Sequence, residues 1–93
     1  MQDAKATLAE LIGQEVVLDT TGQFVYIGRL KNVDELFFEI EDADVHDASE
    51  SASTKELYVM DAKKYGIKKN RRFVFVRASQ VVSLSRLEDI IEY

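Results

Sequence analysis

Six basic side chains fall within ten residues: Lys63, Lys64, Lys68, Lys69, Arg71 and Arg72. Clustered cations track phosphates, so a nucleic-acid strand is one chemistry this run suits. Tyr65 lies inside the cluster and can stack on a base. The competing reading is a solvated loop, or a counter-charge to acids elsewhere. Such acids exist: residues 34–50 hold eight carboxylates and no Lys or Arg. Among them Asp42, Asp44, His46 and Asp47 are of metal-ligand type. The chain has one His and no Cys, so an acidic surface loop is the simpler reading, and neither a metal nor another cofactor is expected. Phe37 sits on the acidic face of its strand. There it either stacks on a base or meets another subunit, or it is a partly buried barrel residue. Nothing points to catalysis: no Cys or Ser nucleophile motif, no P-loop and no Gly-rich dinucleotide loop is present.

The chain that must position these residues is short. Its 93 residues make one small domain, spanning 1–93. A net charge of −5 excludes a uniformly cationic nucleic-acid binder but not a local basic face. A hydrophobic fraction of 46% supports a core and argues against disorder. Without cysteine there is no disulfide staple, so self-association is a natural way to bury more surface. No apolar run approaches the length of a membrane helix. The N-terminal residues do not read as a signal peptide, so no membrane contact and a cytoplasmic location are expected.

Periodicity supplies the elements. Leu8, Leu11 and Ile12 form one apolar stripe, which predicts a helix over 3–12 with Asp3 as N-cap and Gly13 as stop. Residues 15–19 are β-branched and aliphatic, and predict a strand that turns at 20–22, with Gly22 at positive φ. A second strand covers 24–30, where Gly28 implies a bend or a close backbone approach. A turn is predicted at 32–35 and a third strand from Leu36, with Leu36, Phe38 and Ile40 on one face. Residues 43–72 predict a long variable insertion: an exposed Ser/Ala-rich loop over 43–56, a short strand at 57–60, and a helical turn from Asp61 to Gly66. Two more strands follow at 73–77 and 81–85, then a weak helical turn. The sum is a mostly β, five-stranded bent barrel.

The segment Val16-Val17-Leu18, Gly22, Tyr26-Ile27-Gly28-Arg29-Leu30, Val33-Asp34 and Leu36 to Asp42-Ala43 resembles the first motif of the Sm-like family. That family includes the Sm, LSm and Hfq-type proteins. Phe73-Val74-Phe75-Val76-Arg77-Ala78-Ser79-Gln80-Val81-Val82-Ser83-Leu84 resembles its second motif. The resemblance implies an Sm-like, SH3-like barrel with an N-terminal helix, six- or seven-membered rings, and an RNA pocket. It places Arg77 in that pocket. It puts Phe37 where the family carries an Asn and Glu35 where it carries a stacking side chain, and Ala78 replaces the usual Gly. A Phe can stack, but it cannot read a uracil edge as an amide does.

The resemblance further implies ring closure by edge pairing of residues 73–76 with 81–84 of a neighbour. The expected function is therefore a non-enzymatic, ring-forming module that binds single-stranded RNA through Phe37, Arg77 and the 63–72 basic segment. The alternative is a protein-interaction or scaffold barrel without RNA binding. It would be Sm-like or of the PRC-barrel type, whose opening resembles Leu11-Ile12-Gly13-Gln14-Glu15-Val16.

Overall fold

Alternating apolar residues build five antiparallel strands in the computed structural model, which describes residues 4–50 and 54–92. The elements run α1 (Ala4–Ala9), β1 (Glu15–Thr20), β2 (Phe24–Val33), β3 (Phe37–Asp47), α2 (Lys55–Tyr65), β4 (Arg71–Arg77) and β5 (Val81–Arg86). The sheet order is β4-β3-β2-β1-β5, so among the described residues β4 and β5 each keep one edge without a strand partner.

Strand periodicity divides the apolar residues between two faces. On one face Val16, Leu18, Leu30, Phe38, Ile40, Ala43 and Val76 form the main core, with Leu8 and Leu11 packed against it. On the other, Val17, Val25 and Ile27 meet Val59 and Ala62 of α2 and Leu87 of the C-terminal turn. The β1–β2 half of the sheet is thus covered on both sides. Gly28 makes the bend possible: a Cβ there would lie 2.5 Å from Ile40 Cγ2 and 3.0 Å from both Ala43 Cα and Glu41 O. Opposite it, Asp42 takes φ 49°, a left-handed conformation that Asp tolerates better than most side chains. The β2–β3 register shifts on both sides of Arg29, between Ile27 and Arg29 and between Leu30 and Asn32.

The fold is the mostly β, five-stranded bent sheet expected, but several boundaries move. Helix α1 ends at Ala9 rather than at residue 12, and Gly13 closes the following turn at φ 94°. Asp3 lies outside the described residues. Gly22 is not at positive φ. In its turn the Lys55 Nζ donates to Thr20 O at 3.2 Å and Gly22 O at 2.7 Å. The bulge beside Lys31 lets β2 run on to Val33 through the predicted turn. Leu36 precedes β3 and is exposed, whereas Phe38 and Ile40 are buried.

The largest correction concerns 43–72, which is not one loop. Strand β3 continues to Asp47, because Asp44 and His46 face α2 and find partners there. The segment predicted as a strand at 57–60 plus a turn capped by Asp61 is one helix of 11 residues. Thr54 is its N-cap, accepting from Leu57 N, and Gly66 (φ 99°) closes it by donating to Ala62 O.

Candidate nucleic-acid interface

The β2–β3 turn is fixed by one carboxylate. Asp34 Oδ1 accepts from the N–H groups of Leu36 and Phe37, each at 2.8 Å, as short acidic side chains do in turns. This turn is stitched to the β4–β5 turn. Phe37 lies opposite Arg77 in the antiparallel register, and Ala78 N donates to Leu36 O at 2.7 Å. Two turns far apart in sequence therefore form one surface.

On that surface the Arg77 guanidinium sits 5.6 Å from the centroid of the Phe37 ring, within cation–π range. Phe75 meets the same ring edge-on at 6.2 Å and 81°. Phe37 is half-buried and Arg77 exposed. The guanidinium thus lies beside the Phe37 ring on an exposed side chain. A planar cation in this position can stack on a base and donate to a phosphate. Glu35 is exposed on the same turn and disfavours a phosphate close to it.

The basic cluster lies elsewhere. Lys63 and Lys64 are in the last turn of α2, Tyr65 is its final residue, and Arg71 opens β4. Arg71 pairs with Ala43, whereas Arg77 pairs with Phe37. Six residues of strand separate them, about 20 Å. The sequence offers a basic segment and a pocket at Phe37 and Arg77 as two parts of one binding function, and the structure puts them at opposite ends of β4.

Lys63 donates to Ile90 O, Lys64 lies over Tyr65, and an Arg71 guanidinium nitrogen donates to Asn70 O. Among the described residues the ion pairs use Arg29, Lys55 and Arg86, and none of the six clustered cations takes part. The acidic block is served by a different residue: Arg29 binds Glu41 and Asp42 at 2.8 Å each. Its guanidinium pKa is raised, chiefly by the Glu41 hydrogen bond. Among the described residues, no cation of the cluster forms an ion pair with the acidic block.

Three residues that the sequence reading did not assign to binding lie between the two groups. Strand alternation puts Phe73 and Phe75 on the same face as Arg71 and Arg77, and both rings are exposed, at 46% and 62%. Lys31, at the β2 bulge, holds its Nζ 4.6 Å above the Phe73 ring. The every-other-residue pattern from Arg71 to Arg77 was the available signal. The bulge that aims Lys31 at β4 left none.

The four metal-type residues go separate ways. Asp42 binds Arg29, and Asp47 accepts from the Ser49 N–H and hydroxyl. Asp44 accepts from Tyr58 OH and from Asn70 Nδ2. His46 stacks flat on Tyr58 at 3.5 Å. Among the described residues no three His, Asp or Glu side chains converge. Nor is any described helix long and apolar enough to cross a membrane.

No family model matches the sequence, and no curated protein matches it either. Solved structures do match. The Sm protein of Pyrococcus abyssii, in complex with a uridine heptamer, aligns with a TM-score of 0.63 at 16% identity, over 91% of this chain and 99% of that one. The SmAP (LSm) protein of Methanococcus vannielii gives 0.62 at 20% identity, over 91% and 96%. The P. aerophilum SmAP1 heptamer gives 0.63 at 20% identity, over 92% and 95%. At these identities the likeness is one of fold: this chain has the Sm fold.

Proposed function

We propose that this chain is a non-enzymatic RNA-binding module on the Sm fold, acting as a single domain and assembling into a closed ring. The observation that carries the reading is the Arg77 guanidinium laid on the Phe37 ring where two turns meet. It is a preformed stacking and phosphate-binding group at the position the sequence resemblance assigns to the pocket. Fold alone does not assign function, so the support must come from this site. The P. abyssii neighbour binds a uridine heptamer, which makes single-stranded RNA the polyanion to test first. Phe37 supplies no amide, so recognition here rests on stacking and charge. The six cations of the 63–72 segment, none in an ion pair among the described residues, add salt-sensitive phosphate contacts.

Ring closure is supported by the two open edges. Phe73 and Phe75 on β4, and Val82 on β5 at 61% exposure, leave apolar surface beside unpaired backbone, which invites pairing with another copy. Joining residues 73–76 of one copy to 81–84 of the next is head-to-tail, and closes if the rotation fits. The M. vannielii protein and the P. aerophilum heptamer share this fold.

Light scattering at low and moderate salt, with and without a single-stranded U-rich or A-rich oligonucleotide, tests both parts. A mass of six or seven chains and a salt-sensitive complex are expected. A monomer or dimer overturns the ring. A ring that ignores every oligonucleotide favours the protein-interaction module instead.

A further inference from the structure

A second polar site lies on the far side of the molecule from Arg77, between the C-terminal half of α2 and β3. It is a cavity of about 380 Å³ lined by Asp44, Tyr58, Asp61, Ala62, Tyr65, Gly66 and Lys68. That volume is in the range of small-molecule sites.

Asp44 is the unusual group here. It is 2% exposed, yet among the described residues no Lys, Arg or His pairs with it. Among the described residues its only donors are Tyr58 OH on one oxygen and Asn70 Nδ2, at 3.1 Å, on the other. A carboxylate has about four acceptor positions, so two bonds leave acceptor capacity unused. Burying a carboxylate without a cation is costly unless hydrogen bonds replace the lost water. Two neutral donors replace it in part. Asp61, at the rim, has no partner among the described residues.

The rest of the cavity is of another character. Tyr65 is 72% exposed and offers an aromatic wall. Lys68 is exposed and unpaired, with Lys69 next to it in sequence. The buried Asp44 carboxylate with acceptor positions left over, the exposed Tyr65 ring, and a rim that carries both Asp61 and Lys68 together match a ligand with N–H donors on a flat ring and an anion attached to it.

We propose that the α2–β3 cavity binds a nucleotide whose base carries an exocyclic amino group, with the amino group on Asp44, the ring against Tyr65 and the phosphate at Lys68. Carboxylates accept from such amines in base recognition, and uracil has none to give. The site would bias the module toward amino-bearing bases, away from the β4–β5 turn. This inference rests on the nucleic-acid reading of the protein; it shares Tyr65 and Lys68 with the basic segment of that reading but uses neither Phe37 nor Arg77, which carry it.

The test is amide NMR of the full chain titrated with GMP, AMP, CMP and UMP, then with a short mixed-sequence RNA. The amides of Asp44, Tyr58, Tyr65, Gly66 and Lys68 should shift with the three amino-bearing nucleotides, at an affinity at least about tenfold above that for UMP. Asp44→Asn, which removes the charge and turns one acceptor oxygen into an N–H donor, should weaken the preference. Lys68→Ala and Tyr65→Leu, both at exposed positions, should weaken all four nucleotides without unfolding the chain, and they carry the test if Asp44→Asn does not fold. Equal affinity for the four nucleotides, or no shift at these amides, overturns the proposal. RNA that shifts only the Phe37 and Arg77 amides overturns this site and leaves the proposed function standing. RNA that shifts neither set overturns both.

Discussion

The two ends of β4 are held in different ways. At the Arg77 end the geometry is local and backbone-driven. One Asp34 oxygen fixes the turn, one register pair sets Phe37 beside Arg77, and one hydrogen bond from Ala78 joins the turns. At the Arg71 end the geometry comes from a docked helix. Lys55 reaches Asp19 at 2.6 Å and the β1–β2 turn, Tyr58 reaches Asp44 and His46, and Lys63 reaches Ile90 O. The first arrangement belongs to the strands. The second was added onto one face of them, so the two ends should come apart under the right perturbation.

What they share is the sheet between them. Ile40 is fully buried in the main core, pairs with Val74 of β4 and touches the Gly28 bend. Ile40→Ala should cost about 2–5 kcal/mol. That predicts a fall in Tm of roughly 4–8 °C per kcal/mol for a domain of this size, with both ends losing amide protection together. Protection lost at one end alone would break the idea of a common core.

Tyr58→Phe should separate the ends. It removes the hydroxyl that donates to buried Asp44, and leaving such an acceptor short of a donor costs about 1–3 kcal/mol. Hydrogen exchange should speed up in α2 and the 44–47 segment, and stay unchanged at Phe37 and Arg77. The same hydroxyl gives a pH signature. Burial, then the Asp44 hydrogen bond and charge, raise the Tyr58 pKa above its ordinary 10.0. The neutral phenol is the favoured form in the fold. Its contribution is complete below pH 10 and is lost as pH rises through that value toward the raised one. Alkaline denaturation followed by circular dichroism should therefore show a smaller fall in stability above pH 10 for Tyr58→Phe than for the parent chain.

The contrast between the ends also explains what could be read in advance. The strands were legible because Val16, Leu18, Phe38 and Ile40 alternate, and alternation is a property of the sequence alone. Gly28 was legible because a glycine inside a strand implies a close neighbour. Helix α2 was not. Its inward side is small and partly polar (Tyr58, Val59, Ala62), while Leu57 points out. The apolar stripe that marks a helix was therefore faint, and 57–60 looked like a strand. Thr54, as an N-cap before an acidic first turn, was the usable signal. Asp44 and His46 looked like loop residues because their partners come from α2, which had not been recognised. The distance between Arg77 and the basic cluster was not legible either, since closeness in sequence says nothing about the 20 Å of strand between them.

At the Arg77 end the predicted effects are smaller and appear in binding rather than stability. Arg77→Ala should weaken single-stranded RNA binding by about tenfold, the scale of one lost stacking contact, with Tm unchanged. Asp34→Ala should weaken it less, by releasing the turn that aims Phe37. Asp34→Asn, which keeps the Oδ1 acceptor, should behave as the parent chain. Fluorescence anisotropy with a labelled oligonucleotide reads these differences. Equal loss in the Asn and Ala variants would mean that the charge of Asp34, not its turn, is what matters.

The smallest effect concerns the cations that neither arrangement uses. Lys69 and Arg72 are exposed and make no ion pair among the described residues. Replacing both by Ala should leave stability within about 0.5 kcal/mol, as for surface positions free of special contacts. If they touch phosphates, each releases counterions on binding. The slope of log affinity against log salt should then flatten by about 0.7 per residue on a single strand. An unchanged slope would mean that RNA never reaches this end of β4, which would confine the binding surface to the Phe37–Arg77 turns. A flattened slope with unchanged stability would show that a strand bound at Arg77 also runs the length of β4, past the exposed rings of Phe75 and Phe73.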